Sequence, residues 1–161
     1  MPLKWENLAF QPDKALSEHI LSTWEWLLAS KDVRPFLCSV VGDCFLANQD
    51  GKVLRLCCTD GTLEIVSNSR GEFDDLCREF AQDVELWFLP DLVLQAHKQG
   101  KIAKKGQCYQ FIILPIFAEC EFHADNLGVV PASELYTMLS DVHKQLKDLP
   151  EGAEVQLKLI D

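Results

Sequence analysis

Residues 36–67 read FLCSVVGDCFLANQDGKVLRLCCTDGTLEIVS and carry the clearest β-strand pattern in the chain. Gly51 and Gly61 each close a short polar turn between apolar runs, and glycine suits the left-handed position of a hairpin loop. Gly42-Asp43, inside the first run, predicts a bulge or a close approach of the backbone. Three strands in an antiparallel meander are therefore predicted, over residues 36–47, 52–58 and 62–67.

The flanking segments carry helical spacing on both sides of this meander, together with shorter strand signals. Pro12 and Asp13 open a first helix, whose apolar residues recur every three or four positions until Pro35 bars continuation. Further helices are predicted over 72–80, 90–99 and 131–146, and further strands over 108–114, 126–131 and 154–160. The strands come in a consecutive run, so we expect an α+β fold with a largely antiparallel sheet. We expect one domain over 1–161, with residues 1–35 as an N-terminal helical segment and 36–161 as its main body.

The composition is that of a globular protein with a strong acidic excess. Hydrophobic residues make up 48% of the 161 residues, and 25 acidic against 15 basic residues give a net charge of −10. Such a charge repels a phosphate backbone, so we expect no direct nucleic-acid binding. No run approaches the ~20 apolar residues of a membrane span. The start of the chain lacks the apolar core of a secretory signal, so we expect a cytoplasmic protein without membrane contact.

The chemistry-bearing residues form no catalytic or metal-binding motif. The seven cysteines include no pair at zinc spacing, and most lie among apolar neighbours, so reduced core thiols are predicted. A nucleophilic pairing of Cys108 or Cys120 with His123 is the one enzymatic arrangement that the residue types leave open. No activating motif surrounds these cysteines. We expect no enzyme activity, no cofactor and no metal.

Acidic side chains concentrate in two short segments and form the main candidate binding surface. They are either a solvated face or a docking surface for a basic protein. Trp87 and Trp5 are expected to be exposed and to serve as aromatic anchors for that partner. With Trp87, the candidate partner-binding residues are Glu72, Asp74, Asp75, Glu79, Asp83 and Glu85 in the first segment and Glu119, Glu121 and Asp125 in the second.

Residues 36–160 resemble a bacterial family that forms the C-terminal module of type VI secretion immunity proteins, including those that neutralise a DNase effector. The resemblance rests on short stretches in the same order and spacing: SVVGDCF at 39–45, DG at 50–51, TDG at 59–61, WFLPDLV at 87–93, GQCY at 106–109, Pro115, Asn126, DVHKQ at 141–145 and LPEG at 149–152. It implies a non-catalytic cytosolic protein that binds a cognate secreted toxin. A basic, nuclease-like toxin would suit the acidic charge.

Two other functions stay open at this point. The first is a protein-interaction or regulatory module of the same fold that has no toxin partner, and the second is the thiol-dependent enzyme. The core prediction is common to all of them: Tyr109, Phe111 and Ile113 are expected to share one core with Val41, Phe45, Trp24 and Val142, and Ile113→Ala is expected to cost roughly 2–5 kcal/mol.

Overall fold

The computed structural model describes residues 3–29, 32–80, 82–150 and 152–154. Within these ranges the chain forms an α+β fold with an antiparallel five-stranded sheet, which confirms the predicted class. The strands follow chain order, and a separate antiparallel pair lies after them. The five strands are β1 (Ala9–Phe10), β2 (Val33–Ser39), β3 (Asp43–Asn48), β4 (Val53–Cys57) and β5 (Thr62–Ser67), and the separate pair is β6 (Gln107–Phe111) and β7 (Leu127–Pro131).

Two α-helices in the described ranges begin at residues whose side chains cap them. The Asp13 carboxylate accepts the backbone N–H of Leu16 at 2.8 Å, and the Ser69 hydroxyl accepts that of Glu72 at 3.0 Å. None of the helices in the described ranges is long and apolar enough to cross a bilayer. The helices are α1 (Lys14–Thr23), α2 (Glu25–Leu28), α3 (Arg70–Glu79), α4 (Gln82–Phe88), α5 (Pro90–Lys98) and α6 (Ala132–Leu146).

The predicted first strand over 36–47 is wrong, because this stretch contains two strands and the turn between them. β2 and β3 pair with Cys38 opposite Cys44, and residues 40–42 reverse the chain. Gly42 has φ +99°, a conformation that glycine adopts without a steric penalty. The turn and most of β3 are buried, and the polar residues beside the turn, Ser39 and Asp43, are buried as well, so the stretch lacks the exposed polar residues that would mark a surface turn.

The structure differs from the sequence prediction in two further elements, and one predicted strand lies outside the described residues. Helix α4 was not predicted, and β6 ends at Phe111, before the predicted end at residue 114. Ile113 is therefore not in the core: its side chain is 41% exposed, while the other six residues of the predicted core are buried in one cluster. The predicted last strand, 154–160, lies outside the described residues beyond Glu154.

Helices cover the five-stranded sheet on both faces. Phe45 of β3 packs against Phe73 of α3 and Trp87 of α4, with ring centroids 4.9 and 5.3 Å apart. Cys44 points to the opposite face, which α6 covers with Tyr136. Helix α1 joins α6 there, since the indole N–H of Trp24 donates to the Tyr136 carbonyl at 3.1 Å. The Phe45 face is the one on which the candidate site lies.

Candidate functional site

A pocket of about 250 Å³ opens on the Phe45 face of the sheet, beside the end of α4. Its polar floor comes from the strands and from the turn after β4, and its apolar wall comes from four separate segments of the chain. The floor consists of Asp43, Arg55, Cys57, Thr59 and Asp60, and the wall of Val41, Leu86, Leu89, Phe111 and Phe122.

The sheet register brings the charged floor residues together. Asp43 of β3 lies opposite Cys57 of β4, and Arg55 lies two residues earlier on the same face. Arg55 Nε donates to Asp43 Oδ2 at 2.7 Å, and its Nη1 donates to Glu64 Oε1 at 3.1 Å. The guanidinium thus ties three neighbouring strands to one another, and its own charge is matched by two carboxylates.

Burial governs the protonation of the floor. Asp43 is only 3% exposed, and burial raises the pKa of its carboxyl to about 6, although the adjacent Arg55 opposes this shift. Burial, with the Asp43 charge as a second cause, also raises the pKa of the Cys57 thiol well above its usual value. At neutral pH the floor therefore holds an ionised carboxylate and a protonated thiol.

The rim of the pocket carries large apolar side chains in contact with water. Leu86 of α4 is 64% exposed, and Phe122, on the long segment between β6 and β7, is 58% exposed. The Phe122 ring packs on Phe111 with centroids 5.1 Å apart. Exposed leucine and phenylalanine side chains around a concave site are typical of a binding surface.

The two acidic segments predicted to bind a partner both reach this rim. Glu85 directly precedes Leu86, and Glu121 directly precedes Phe122. The pocket therefore brings together one residue that follows each acidic segment, although the two segments are more than 30 residues apart in sequence. Sequence reasoning did not bring the two segments together.

The acidic residues differ in how free their charges are. Some are held within the protein: Asp74 pairs with Arg70, Asp75 pairs with Arg78, both at 3.1 Å, and the Glu72 carboxylate accepts the Asn68 N–H at 3.3 Å. Asp125 contacts His123 at 3.3 Å and accepts a hydrogen bond from Gln99 at 2.7 Å. Across residues 3–29, 32–80, 82–150 and 152–154, no basic side chain pairs with Glu79, Asp83, Glu85, Glu119 or Glu121.

Trp87 is not the exposed anchor that was predicted. Its side chain is 5% exposed, and its ring stacks on Phe73 with centroids 5.9 Å apart at 13°. The two aromatic rings come from different helices, so the sequence around Trp87 alone does not reveal its burial. Trp5, the other proposed anchor, is exposed and lines a separate groove of about 490 Å³ beside α3.

The buried ion pair of the floor was also missed as a site feature. Asp43 and Arg55 are single charged residues inside apolar strands, and charged residues are almost never fully buried unless they are paired. That rule offered a signal for the pair. The sequence contained no comparable signal for Leu86 and Phe122, because single exposed apolar residues are common.

Most of the cysteines are buried, and Cys120 and His123 make local hydrogen bonds. Five of the seven thiols are buried, and burial raises the pKa of Cys44, Cys58 and Cys108. Asn126 Nδ2 donates to the Cys120 sulfur at 3.5 Å, and His123 Nδ1 accepts the Asp125 N–H at 3.2 Å. In the described part of the chain no three His, Cys, Asp or Glu side chains are placed to hold a metal ion.

Comparison with known proteins finds a structure of similar fold and no matching family. No protein-family model matches the chain, and no curated protein matches its sequence. A solved structure that resembles it is the crystal structure of Atu4351 from Agrobacterium tumefaciens. The TM-score is 0.56 at 14% sequence identity, and the match covers 84% of this chain and 67% of Atu4351. This likeness concerns the fold alone.

Proposed function

We propose that this protein is a non-catalytic, immunity-type binding protein that neutralises a cognate basic, nuclease-like toxin by covering its cationic surface. One observation carries the proposal: the exposed apolar side chains of Leu86 and Phe122 line one pocket, and each directly follows an acidic residue, Glu85 or Glu121, in the sequence. Exposed apolar side chains with acidic residues next to them are consistent with the usual interface of apolar core and polar rim. The sequence resemblance adds the expectation that the partner is a secreted toxin.

The charge of this surface supports a basic partner. Glu79, Asp83 and Glu85 have no basic side chain paired with them in the described ranges. Their field reaches solvent unneutralised and extends over a Debye length of about 10 Å at 0.1 M salt. Complementary charge mainly accelerates association and makes its rate fall with salt.

The pocket floor supports binding over catalysis. The Cys57 thiol has a raised pKa and stays protonated at neutral pH, so it is a poor nucleophile. The Asp43 carboxylate is held by Arg55 at 2.7 Å in a bond that links β3 to β4. These two groups are the strongest candidates for chemistry in the pocket, and both have structural roles.

A direct test requires a neighbouring gene that encodes a secreted nuclease, and it uses that nuclease. Its expression in a bacterial host should stop growth, and co-expression of this protein should restore it. A catalytically inactivated nuclease should form a complex with this protein that elutes as one species in size-exclusion chromatography. Binding without protection favours the non-toxin interaction module, and absence of both contradicts the proposal.

Charge reversal tests the surface itself. We choose Glu79→Lys, Asp83→Lys and Glu85→Lys, because reversing Asp74 or Asp75 would also break their pairs with Arg70 and Arg78. Each reversal changes the charge by two, so the triple variant carries −4 in place of −10. Its association with the nuclease at low salt should slow by about tenfold or more, with a smaller change in dissociation.

The matched control carries the same net charge elsewhere. Glu18→Lys, Asp50→Lys and Asp141→Lys change three exposed residues that do not line the pocket and also give −4. Stopped-flow association at low and high salt should show a much smaller effect for this control. Circular dichroism checks that both variants are folded. Equal association rates for the two variants would indicate that Glu79, Asp83 and Glu85 contribute to solubility and not to binding of the nuclease.

A further inference from the structure

We propose that the pocket between α4 and Phe122 takes an arginine side chain of the partner protein, inserted from the rim toward Asp60. The inference rests on the proposed function, since it names the contact through which a basic partner is anchored. It assigns a ligand chemistry to a cavity that otherwise has no role in the fold.

The size of the pocket favours a single side chain over a free small molecule. Its volume is about 250 Å³, below the range of about 300–1,000 Å³ that small-molecule sites occupy. Interfaces concentrate their binding energy in a few residues that fill such pockets, and arginine is among the enriched types. Two of the lining residues, Leu86 and Phe122, directly follow Glu85 and Glu121 of the acidic segments in the sequence.

The pocket wall suits the stem and the planar head of arginine. Leu86 and Leu89 offer apolar contact to an aliphatic stem, which long cationic side chains bury while the charged group stays with polar partners. The Phe122 ring is 58% exposed, so its face or edge is open to a guanidinium. Arginine stacks on aromatic rings more readily than lysine does.

The charged residues of the floor favour a cationic ligand over an anionic one. Among the residues that the structure describes, Arg55 is the one basic residue that lines the pocket, and its guanidinium already donates to Asp43 and Glu64. An incoming anion would have to compete with both carboxylates for this group. Asp60 is an exposed floor residue with no salt-bridge partner anywhere in the described ranges. Its carboxylate can meet a guanidinium in a charge-assisted hydrogen bond.

The test uses the full chain and a defined probe. ¹⁵N-labelled protein is titrated with N-acetyl-L-arginine amide, and N-acetyl-L-citrulline amide serves as the neutral probe of the same shape. We expect saturable shifts of the backbone amides of Asp60, Leu86 and Phe122 with the arginine probe. The citrulline probe should produce shifts that do not saturate.

Two exposed substitutions and one control locate the binding. Asp60→Asn should weaken binding of the arginine probe by about two- to fivefold, the range of one exposed ion pair. Phe122→Ala should weaken it as well, and Asp50→Asn, which removes a carboxylate on a distant turn, should leave it unchanged. All three positions are exposed, so the fold is expected to survive.

Several outcomes would overturn the inference. They are equal shifts from both probes, shifts confined to the acidic residues of α3, or binding that is insensitive to Asp60→Asn and Phe122→Ala. The titration contains no toxin, so its failure leaves the proposed function standing. Failure of the growth and complex assays, in turn, would leave a measured arginine site intact.

Discussion

Substitution of Gly61 by alanine is expected to destabilise the protein through a specific clash with His143. Gly61 lies in the turn that carries Asp60, and its φ is +71°. A Cβ placed there would lie 2.6 Å from both Cγ and Nδ1 of the His143 ring. That ring is buried on α6, and its Nε2 is 3.0 Å from the Thr59 carbonyl. The turn and the helix are thus in contact at the position where glycine is required.

The expected loss has two separable parts. An alanine in the left-handed region costs roughly 1–2 kcal/mol. Displacing the His143 ring adds about 1 kcal/mol for the Thr59 hydrogen bond, together with lost packing against Trp24, whose ring centroid lies 6.3 Å away. We therefore expect a loss of about 2–4 kcal/mol, which corresponds to roughly 5–15 °C in Tm for a chain of this size.

Gly100→Ala provides the matched control. Gly100 has φ +76°, and no atom lies within 4 Å of an added Cβ, so only the backbone cost applies. Urea unfolding of both variants should show a smaller loss for Gly100→Ala by about 1–2 kcal/mol. A double-mutant cycle with His143→Ala should recover most of that difference, because the clash is then removed. Equal losses at Gly61 and Gly100, or a cycle without coupling, would refute the contact between the turn and α6.

Three further predictions follow from burial. Ile113→Ala should lower the free energy of unfolding by less than about 1 kcal/mol, because the side chain is 41% exposed, whereas Phe45→Ala should lower it by about 3–5 kcal/mol in the same urea titration. Burial raises the pKa of Asp43 from 3.8 to about 6, so the folded state binds this proton more tightly than the unfolded chain. This stabilisation is fully present below about pH 4 and is lost as the pH rises to about 6. Relative to Asp43→Asn, the free energy of unfolding should therefore fall by about 2–3 kcal/mol between these pH values. A difference between the two proteins that does not change with pH would contradict the buried carboxylate. Iodoacetamide should modify the partly exposed Cys120 first and buried Cys38 only after unfolding, as followed by mass spectrometry; rapid labelling of Cys38 in the native protein would contradict the described core.

Features that depend on neighbours in sequence were predictable from the sequence alone. The strand over Thr62–Ser67 was placed at its observed bounds, and the start of α5 at Pro90 was correct. Asp13 marked a helix start because its side chain bonds to a backbone N–H group three residues ahead. Apolar periodicity also identified the buried face of α6, because the buried residues recur every three or four positions along this helix. In each case the interaction that sets the structure spans only a few residues.

Features that depend on distant segments were decided only by tertiary structure. The reversal at Gly42 was hidden because β2 and β3 are both covered, and a continuous apolar run does not show where such a chain turns. Ile113 was predicted to be buried and is exposed, whereas Trp87 was predicted to be exposed and is buried. The reason is similar, because burial depends on whether another element covers the residue and not on its own apolar character. The pocket combines β3 and the turn before it, β4 and the turn after it, the end of α4, the end of β6 and the segment that carries Phe122. Side chains from these places meet only after the sheet register and helix packing are set, so no local pattern could reveal the candidate site.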